Sequence, residues 1–389
     1  MTFDEDIDRS SVPSSRFDPA ALKEHFGTTD VLPLWIAEMD FSAPPVVVER
    51  LTERARLGIY AYEFRPESLF DALISWYRDR HGWLLDRTHV QFCPSVMNAI
   101  CALMNAYTEP GDGVLVQPPV FFEFRQAIRR NERELLKSPL RQLGGRYEMD
   151  FDDLEKQCAH PRTKMLILCN PHNPVGRVWS LDELTRVAEI CARHGVFVVS
   201  DEIHADIVHG DRHYTPFVRA AENAGTIAAS CLSAAKTFNL GGMMDAVVVL
   251  PREDQRERFR RLASRFFWNR TNLFTTLAAE TAFREGGPWL DSLLDHLGLN
   301  LRYMKEFVAE EMPGVKLVET EGTYLAWLDF RGLGLDVDAL GALLSERARV
   351  ALNPGYWFGR EGAGFARMSF ACPRASLEDA LARMAGALR

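Results

Sequence analysis

Residues 226–239 read Thr-Ile-Ala-Ala-Ser-Cys-Leu-Ser-Ala-Ala-Lys-Thr-Phe-Asn. The first seven form an apolar run of strand length. Lys236 follows just past its end, before Phe238 and the pair Gly241-Gly242. A lysine is ordinarily a solvated surface residue. At the end of an apolar strand its amine is partly desolvated, which lowers its pKa and makes it nucleophilic toward an aldehyde. Ser233, three residues earlier, is placed to bond a phosphate oxygen.

Outward from this segment the same unit repeats. Strands are predicted at 89–92, 113–117, 165–169, 196–200, 226–230 and 246–250, and helices at 95–107, 122–131, 181–193 and 254–267. Strand followed by helix, repeated, predicts an α/β fold with a mainly parallel sheet covered on both faces. After about residue 290 the texture changes to a long helical stretch over 290–311, short apolar runs at 316–319, 323–328 and 364–369, and a further helix. The expected organisation is a large domain over 46–289 and a smaller α+β domain built from 1–45 and 290–389.

Composition agrees with that size. The chain has 389 residues, 47% hydrophobic and 25% charged, enough for two domains with a sizeable core. A net charge of −9 with no basic block argues against nucleic acid or an anionic membrane as partner. The acidic start, Met1-Thr-Phe-Asp-Glu-Asp-Ile-Asp, has no apolar core and is not expected to be a signal peptide. Runs such as Asp245-Ala-Val-Val-Val-Leu are too short to span a bilayer. Seven cysteines without a Cys-x-x-Cys pair point to free thiols and a cytoplasmic location. Only seven of the 45 basic residues are lysines, which makes a buried-looking one more informative.

In a doubly wound sheet, ligands sit beyond the carboxyl ends of the strands. Four polar, turn-rich segments follow predicted strands there: Cys93-Pro-Ser-Val-Met, Asn170-Pro-His-Asn-Pro-Val-Gly, Asp201-Glu-Ile-His and Ser233-Ala-Ala-Lys. Asp201 ends a buried strand, where a carboxylate is costly unless it meets a cation or donors. A protonated pyridine nitrogen satisfies it and turns the ring into an electron sink; an N-cap or a structural salt bridge is the plainer alternative. His204 can donate to a phenolic oxygen, although a single histidine is more often part of a core. A zinc site from His204, His209 and His213 fails on spacing, since Gly210 and Asp211 break any helical repeat.

The two Asn-Pro steps fix an extended, turning backbone that holds the Asn173 amide over the sheet edge. The free N–H groups of the helix opened by Ser95 and Val96, with the Ser95 hydroxyl, make an anion site, although most helix starts bind only water. Phe121, in Pro119-Val-Phe-Phe-Glu-Phe, offers a face for a flat ring or simply joins the core. Arg367 lies inside an apolar run and needs a carboxylate, from a substrate or from an internal Asp or Glu.

Together these segments resemble fold-type-I enzymes dependent on pyridoxal 5′-phosphate (PLP), and within them the MalY/PatB-type cystathionine β-lyases, or C–S lyases. The resemblance runs from Asp30-Val-Leu-Pro-Leu-Trp-Ile-Ala-Glu-Met-Asp-Phe to Ala371-Cys-Pro-Arg374. It includes Gly58-Ile-Tyr-Ala-Tyr62, Pro94-Ser-Val, the Asn-Pro-x-Asn-Pro-x-Gly loop, Ser200-Asp-Glu-Ile-His204, Lys236-Thr-Phe-Asn and Thr323-Tyr-Leu-Ala-Trp-Leu. It implies that Lys236 is the Schiff-base lysine and that Asp201 pairs with the pyridine nitrogen. It further implies that Asn173 and His204 serve the phenolic oxygen and that Arg367 clamps the substrate carboxylate. A homodimer with shared active sites follows, in which Tyr62 reaches the neighbouring subunit's phosphate and Tyr324 lies near the substrate. Three departures stand out: Phe121 where a tyrosine is usual, Leu240-Gly-Gly-Met-Met-Asp-Ala after the lysine motif, and Ser369 where an asparagine is common.

The implied reaction is C–S β-elimination. The substrate amine displaces Lys236, the freed amine takes the Cα proton, and an S-substituted L-cysteine gives a thiol, pyruvate and ammonia. Transamination, or decarboxylation-linked oxidative deamination, is the rival raised by Phe121. A regulatory, partner-binding role on the same fold is the rival of another class. A nicotinamide-dependent enzyme is disfavoured because no Gly-x-Gly-x-x-Gly follows a strand.

Overall fold

The computed structural model describes residues 3–9, 11–268 and 270–389. The expectation about the chain's start falls partly on Met1 and Thr2, outside the described residues. Seven strands form the main sheet: Val90–Cys93 (β1), Gly113–Val116 (β2), Glu134–Lys137 (β3), Thr163–Cys169 (β4), Phe197–Asp201 (β5), Ala228–Leu232 (β6) and Ala246–Val249 (β7). They are ordered β1-β7-β6-β5-β4-β2-β3.

Alternate residues of each strand enter different cores. Leu166, Leu168 and Val198 join one apolar cluster, while Met165, Ile167, Phe197 and Val199 join another. That is why these strands read as near-continuous apolar runs: both faces are covered. Helix Leu181–His194 (Leu184, Val187, Cys191) covers the first face, and helix Val96–Tyr107 (Ala99, Ile100, Leu103) covers the second. The helix 181–194 starts with a Ser180/Glu183 capping box and ends at Gly195, whose φ of 64° suits a residue without Cβ.

The sheet is mainly parallel, as expected, with β7 running against both of its neighbours. Segment 233–245 is taken up at the sheet edge by one helical turn, Ala234–Thr237, and a 3₁₀ turn, Gly241–Met243. The chain therefore returns without crossing the sheet, and the returning strand is antiparallel. Both ends of this connection, Ser233 and Asp245, consequently lie at the same edge, where the Ser233 hydroxyl donates to the Asp245 carbonyl at 2.6 Å. The sequence reading omitted β3, a half-buried edge strand whose Glu-Leu-Leu-Lys carries little apolar signal.

A second sheet contains Lys316–Leu317 (β8), Leu325–Asp329 (β9), Asn353–Pro354 (β10) and Phe365–Ser369 (β11), ordered β8-β9-β11-β10 and antiparallel throughout. The N-terminal segment joins this part of the molecule, since Leu32–Pro33 pairs in parallel with Val350–Ala351. Among the described residues no helix is long and apolar enough to cross a membrane.

Candidate active site

The ends of β4, β5 and β6 are level, with Cys169 paired to Asp201 and Asp201 to Cys231. The segments that follow them therefore emerge together into a cavity of about 790 Å³. Ser95, Val96, Phe121, Asn173, Asp201, His204, Ser233, Lys236 and Arg367 all line it. Tyr62 and Tyr324 do not. Tyr62 is 97% exposed and is not part of the cavity's lining. Tyr324 is buried behind the wall, its hydroxyl donating to the Ala37 carbonyl at 3.0 Å and its ring 5.7 Å from that of His204.

Lys236 sits on the single turn after β6, and its Nζ donates to the same Ala37 carbonyl at 2.5 Å. Burial, reinforced by the Arg367 charge, pulls its amine down to about 8. Burial drives Asp201 the other way, up to about 6, against the Ile203 N–H at 3.1 Å and the Lys236 charge. His204 is buried and pushed well below the ordinary imidazole range by burial and the charges of Lys236 and Arg367, so it is neutral. Its Nδ1 is buried without a hydrogen-bond partner.

Arg367 lies on β11 opposite Asn353 of β10, and this register makes the two side chains neighbours on one face. The guanidinium donates to the Asn353 and Asn173 amide oxygens and, at 2.9 Å, to the Trp35 carbonyl. Among the described residues no Asp or Glu pairs with it, and its Nε is buried without a partner. Burial lowers its pKa to about 9. Arginine only donates, so Asn173 must turn its oxygen toward Arg367, and its NH₂ becomes the free donor.

Ser95 caps helix 96–107, its Oγ accepting from the Asn98 N–H at 3.1 Å, and the helix start faces the cavity. The Ser233 hydroxyl donates to the Asp245 backbone carbonyl and accepts from the Ala235 N–H at 3.1 Å. Three contributors escaped the sequence reading. Asn353 had a signal, an Asn-Pro step like those at 170 and 173; the carbonyls of Trp35 and Ala37 had none.

The chain belongs to the aminotransferase class I and II family, whose model matches residues 29–384. Within it, the chain is 38% identical to cystathionine β-lyase PatB of Bacillus subtilis over 100% of both chains. It is 33% identical to protein MalY of Escherichia coli, covering 100% of this chain and 98% of that one. Among solved structures, cystalysin from Treponema denticola, described as containing a pyridoxal 5′-phosphate cofactor, superposes with a TM-score of 0.94 at 31% identity, covering 100% and 98%.

The cavity's own groups fit PLP. A buried carboxylate at Asp201 suits a protonated ring nitrogen, an unpartnered His204 Nδ1 and the free Asn173 amide suit ring oxygen, and the start of helix 96–107 suits a phosphate.

Proposed function

We propose that this chain is a PLP-dependent carbon–sulfur β-lyase acting on S-substituted, cystathionine-like L-cysteine. The observation that carries the reading is Arg367: a buried arginine with no carboxylate partner among the described residues, in the same cavity as a lysine whose amine burial holds near 8. A substrate carboxylate completes Arg367 through the free Nε, and its amine and Cα then lie toward Lys236.

When bound, PLP supplies an electrophilic aldehyde for the substrate amine and a ring that takes up the electron pair left at Cα. Asp201 keeps the ring nitrogen protonated, because an ionised carboxylate there otherwise has no full counter-charge. The Asn173 NH₂ and neutral His204 would serve the ring oxygen, Phe121 would offer its ring to stack, and the N–H groups at Ser95 and Val96 would hold the phosphate. Lys236 would hold the cofactor through Nζ, and the same Nζ would accept the Cα proton. The sulfur leaves from Cβ as thiolate, and water completes pyruvate and ammonia.

The proposed division of the chain is a large domain over 46–289 and a smaller one from 1–45 and 290–389; the two separate sheets support it. We further propose a cytoplasmic homodimer. Its support is a set of exposed aromatic side chains, Tyr60, Tyr62, Phe64, Phe266 and Phe267, of which Tyr62 and Phe267 share the Arg270 guanidinium, together with seven free cysteines. Tyr62 is assigned to the neighbouring subunit's phosphate, and Tyr324 to supporting the wall beside the substrate.

Loss of a hydroxyl at Phe121 favours one alternative, in which the substrate's carboxylate or amine is lost and sulfur stays bonded to carbon. Product analysis separates the two. Free thiol with pyruvate and ammonia from an S-alkyl-L-cysteine is the expected result. Labelled carbon dioxide from carboxyl-labelled substrate, without free thiol, overturns the lyase assignment and leaves the cofactor assignment standing.

A further inference from the structure

The cavity has an end that the chemistry above does not use. His25, Trp35, Phe122 and Trp357 face it. The His25 ring lies 5.5 Å from Trp35 and 5.2 Å from Trp357, and Phe122 lies 5.8 Å from Trp357, each pair edge to face. These rings come from segments far apart in sequence: helix Pro19–Phe26, the stretch leading out of Leu32–Pro33, helix Phe122–Arg130 and the turn Gly355–Phe358.

This wall is joined to the carboxylate anchor. The Arg367 guanidinium sits over the Phe358 ring at 4.9 Å, and Phe358 meets Phe122 at 5.6 Å. Trp35 gives its carbonyl to Arg367 while its ring stays in the aromatic wall. A substrate held by its carboxylate at Arg367 thus has aromatic rings within the reach of its side chain.

The wall is mainly ring faces and edges, its polar atoms being the His25 ring nitrogens and the Trp357 indole N–H. Phe121 and Phe122 carry no hydroxyl, and the Trp35 Nε1–H is already given to the Arg16 carbonyl at 3.0 Å. An ammonium–carboxylate end placed there loses hydration that these few neutral groups repay only in part. Arg125 and Glu123 stand at the rim, but Glu123 is exposed and Arg125 half-buried, so solvent screens both. Flat apolar groups lose nothing there, and they gain edge-to-face contacts.

We infer that this end of the cavity is a subsite for an aromatic substituent on the substrate's sulfur. The inference rests on the lyase reading, because the aromatic group is the part that departs: the Cβ–S bond breaks, sulfur keeps the electron pair, and an arylalkyl thiol forms on protonation.

The test compares S-benzyl-L-cysteine, S-methyl-L-cysteine and L-cystathionine as substrates of the holoenzyme, followed by pyruvate release. S-Benzyl-L-cysteine should exceed both others in kcat/KM by about tenfold or more. In Trp357→Ala, or Phe122→Leu where that variant does not fold, its advantage over S-methyl-L-cysteine should fall toward parity. Dissociation constants for O-benzyl-L-serine and O-methyl-L-serine, whose alkoxides are poor leaving groups, read the subsite without turnover and should differ in the same direction. Equal binding of the two ethers, or a preference for L-cystathionine, overturns the inference and leaves the lyase reading intact. Tighter O-benzyl-L-serine binding in a protein that releases thiol from no thioether supports the subsite and overturns the lyase reading.

Discussion

Arg367 reaches Asn173 across 194 positions of sequence, its Nη1 3.0 Å from the amide oxygen. This contact couples the second sheet to the Asn-Pro loop of the main sheet, and it fixes which end of the Asn173 amide faces the cavity. In the proposed roles, substrate anchoring and cofactor orientation would therefore share one guanidinium.

Arg367→Ala should cost about 2–5 kcal/mol in transition-state binding, the usual loss for one partner of a buried ion pair. Asn353→Ala should cost less, about 1–3 kcal/mol, because it removes one hydrogen bond to the same guanidinium. Steady-state kcat/KM, with cofactor content measured by absorbance, checks both. An Arg367→Ala enzyme with wild-type kcat/KM refutes the anchoring role.

Lys236→Ala should lose the lysine-bound chromophore and essentially all turnover, since attachment point and base disappear together. Borohydride reduction and peptide mapping should place the pyridoxyl group on Lys236 and on no other lysine. In cofactor-free protein the neutral amine is the nucleophile. Burial lowers its pKa to about 8, so the rate of cofactor uptake should climb with pH and level off above about 8. A rate still rising steeply at pH 10 indicates an ordinary, solvated lysine.

Much of this arrangement was legible in the chain. The strands that end at Asp201 and just before Lys236 read as uninterrupted apolar runs because both of their faces are buried, and the polar turns after them stand out by contrast. Ser95 announced its helix because a cap needs a side-chain acceptor. The unforeseen parts depend on tertiary approach. Nothing in Ala37 or Trp35 marks a backbone carbonyl as the acceptor for a lysine or arginine some 199 or 332 positions away. The reversed direction of β7 follows from how the turn around Lys236 spends its residues, which periodicity does not report. Tyr324, expected near the substrate by resemblance, stands with its ring 5.7 Å from that of the cavity-lining His204.

Asp201 should trade stability for function. Its folded-state pKa is about 6 against an ordinary 3.8, because burial penalises the carboxylate. An acid with a raised folded pKa destabilises the fold where it ionises: the penalty is absent below the unfolded pKa, grows between about 4 and 6, and is complete above. At pH 8 it amounts to about 3 kcal/mol, and at pH 5 to roughly half that. Cofactor-free Asp201→Asn should therefore be more stable than wild type in urea at pH 8, by an amount that shrinks toward pH 5. The loaded variant should be nearly inactive, since a neutral amide no longer holds the ring nitrogen protonated. A stability gain that is the same at both pH values refutes the assignment.

Tyr62 is 97% exposed, and its ring lies 5.7 Å from the Arg270 guanidinium. A large aromatic side chain left in solvent, on the same Arg270 guanidinium as the exposed Phe267, is costly unless another surface covers it. If that surface is the second subunit, light scattering should give a dimer. Tyr62→Phe should then weaken cofactor retention by about 1–3 kcal/mol through loss of a buried hydrogen bond. Subunit mixing makes the stricter test. In a hybrid of Lys236→Ala and Tyr62→Ala chains, one site combines the intact lysine of one subunit with the intact tyrosine of the other, while the second site carries both lesions. Random mixing makes half the dimers hybrid, so activity at limiting cofactor should recover to about a quarter of wild type. Sites built within single chains gain nothing from mixing, because every intact lysine then stays with an altered position 62; activity equal to the average of the two parent variants refutes the shared site.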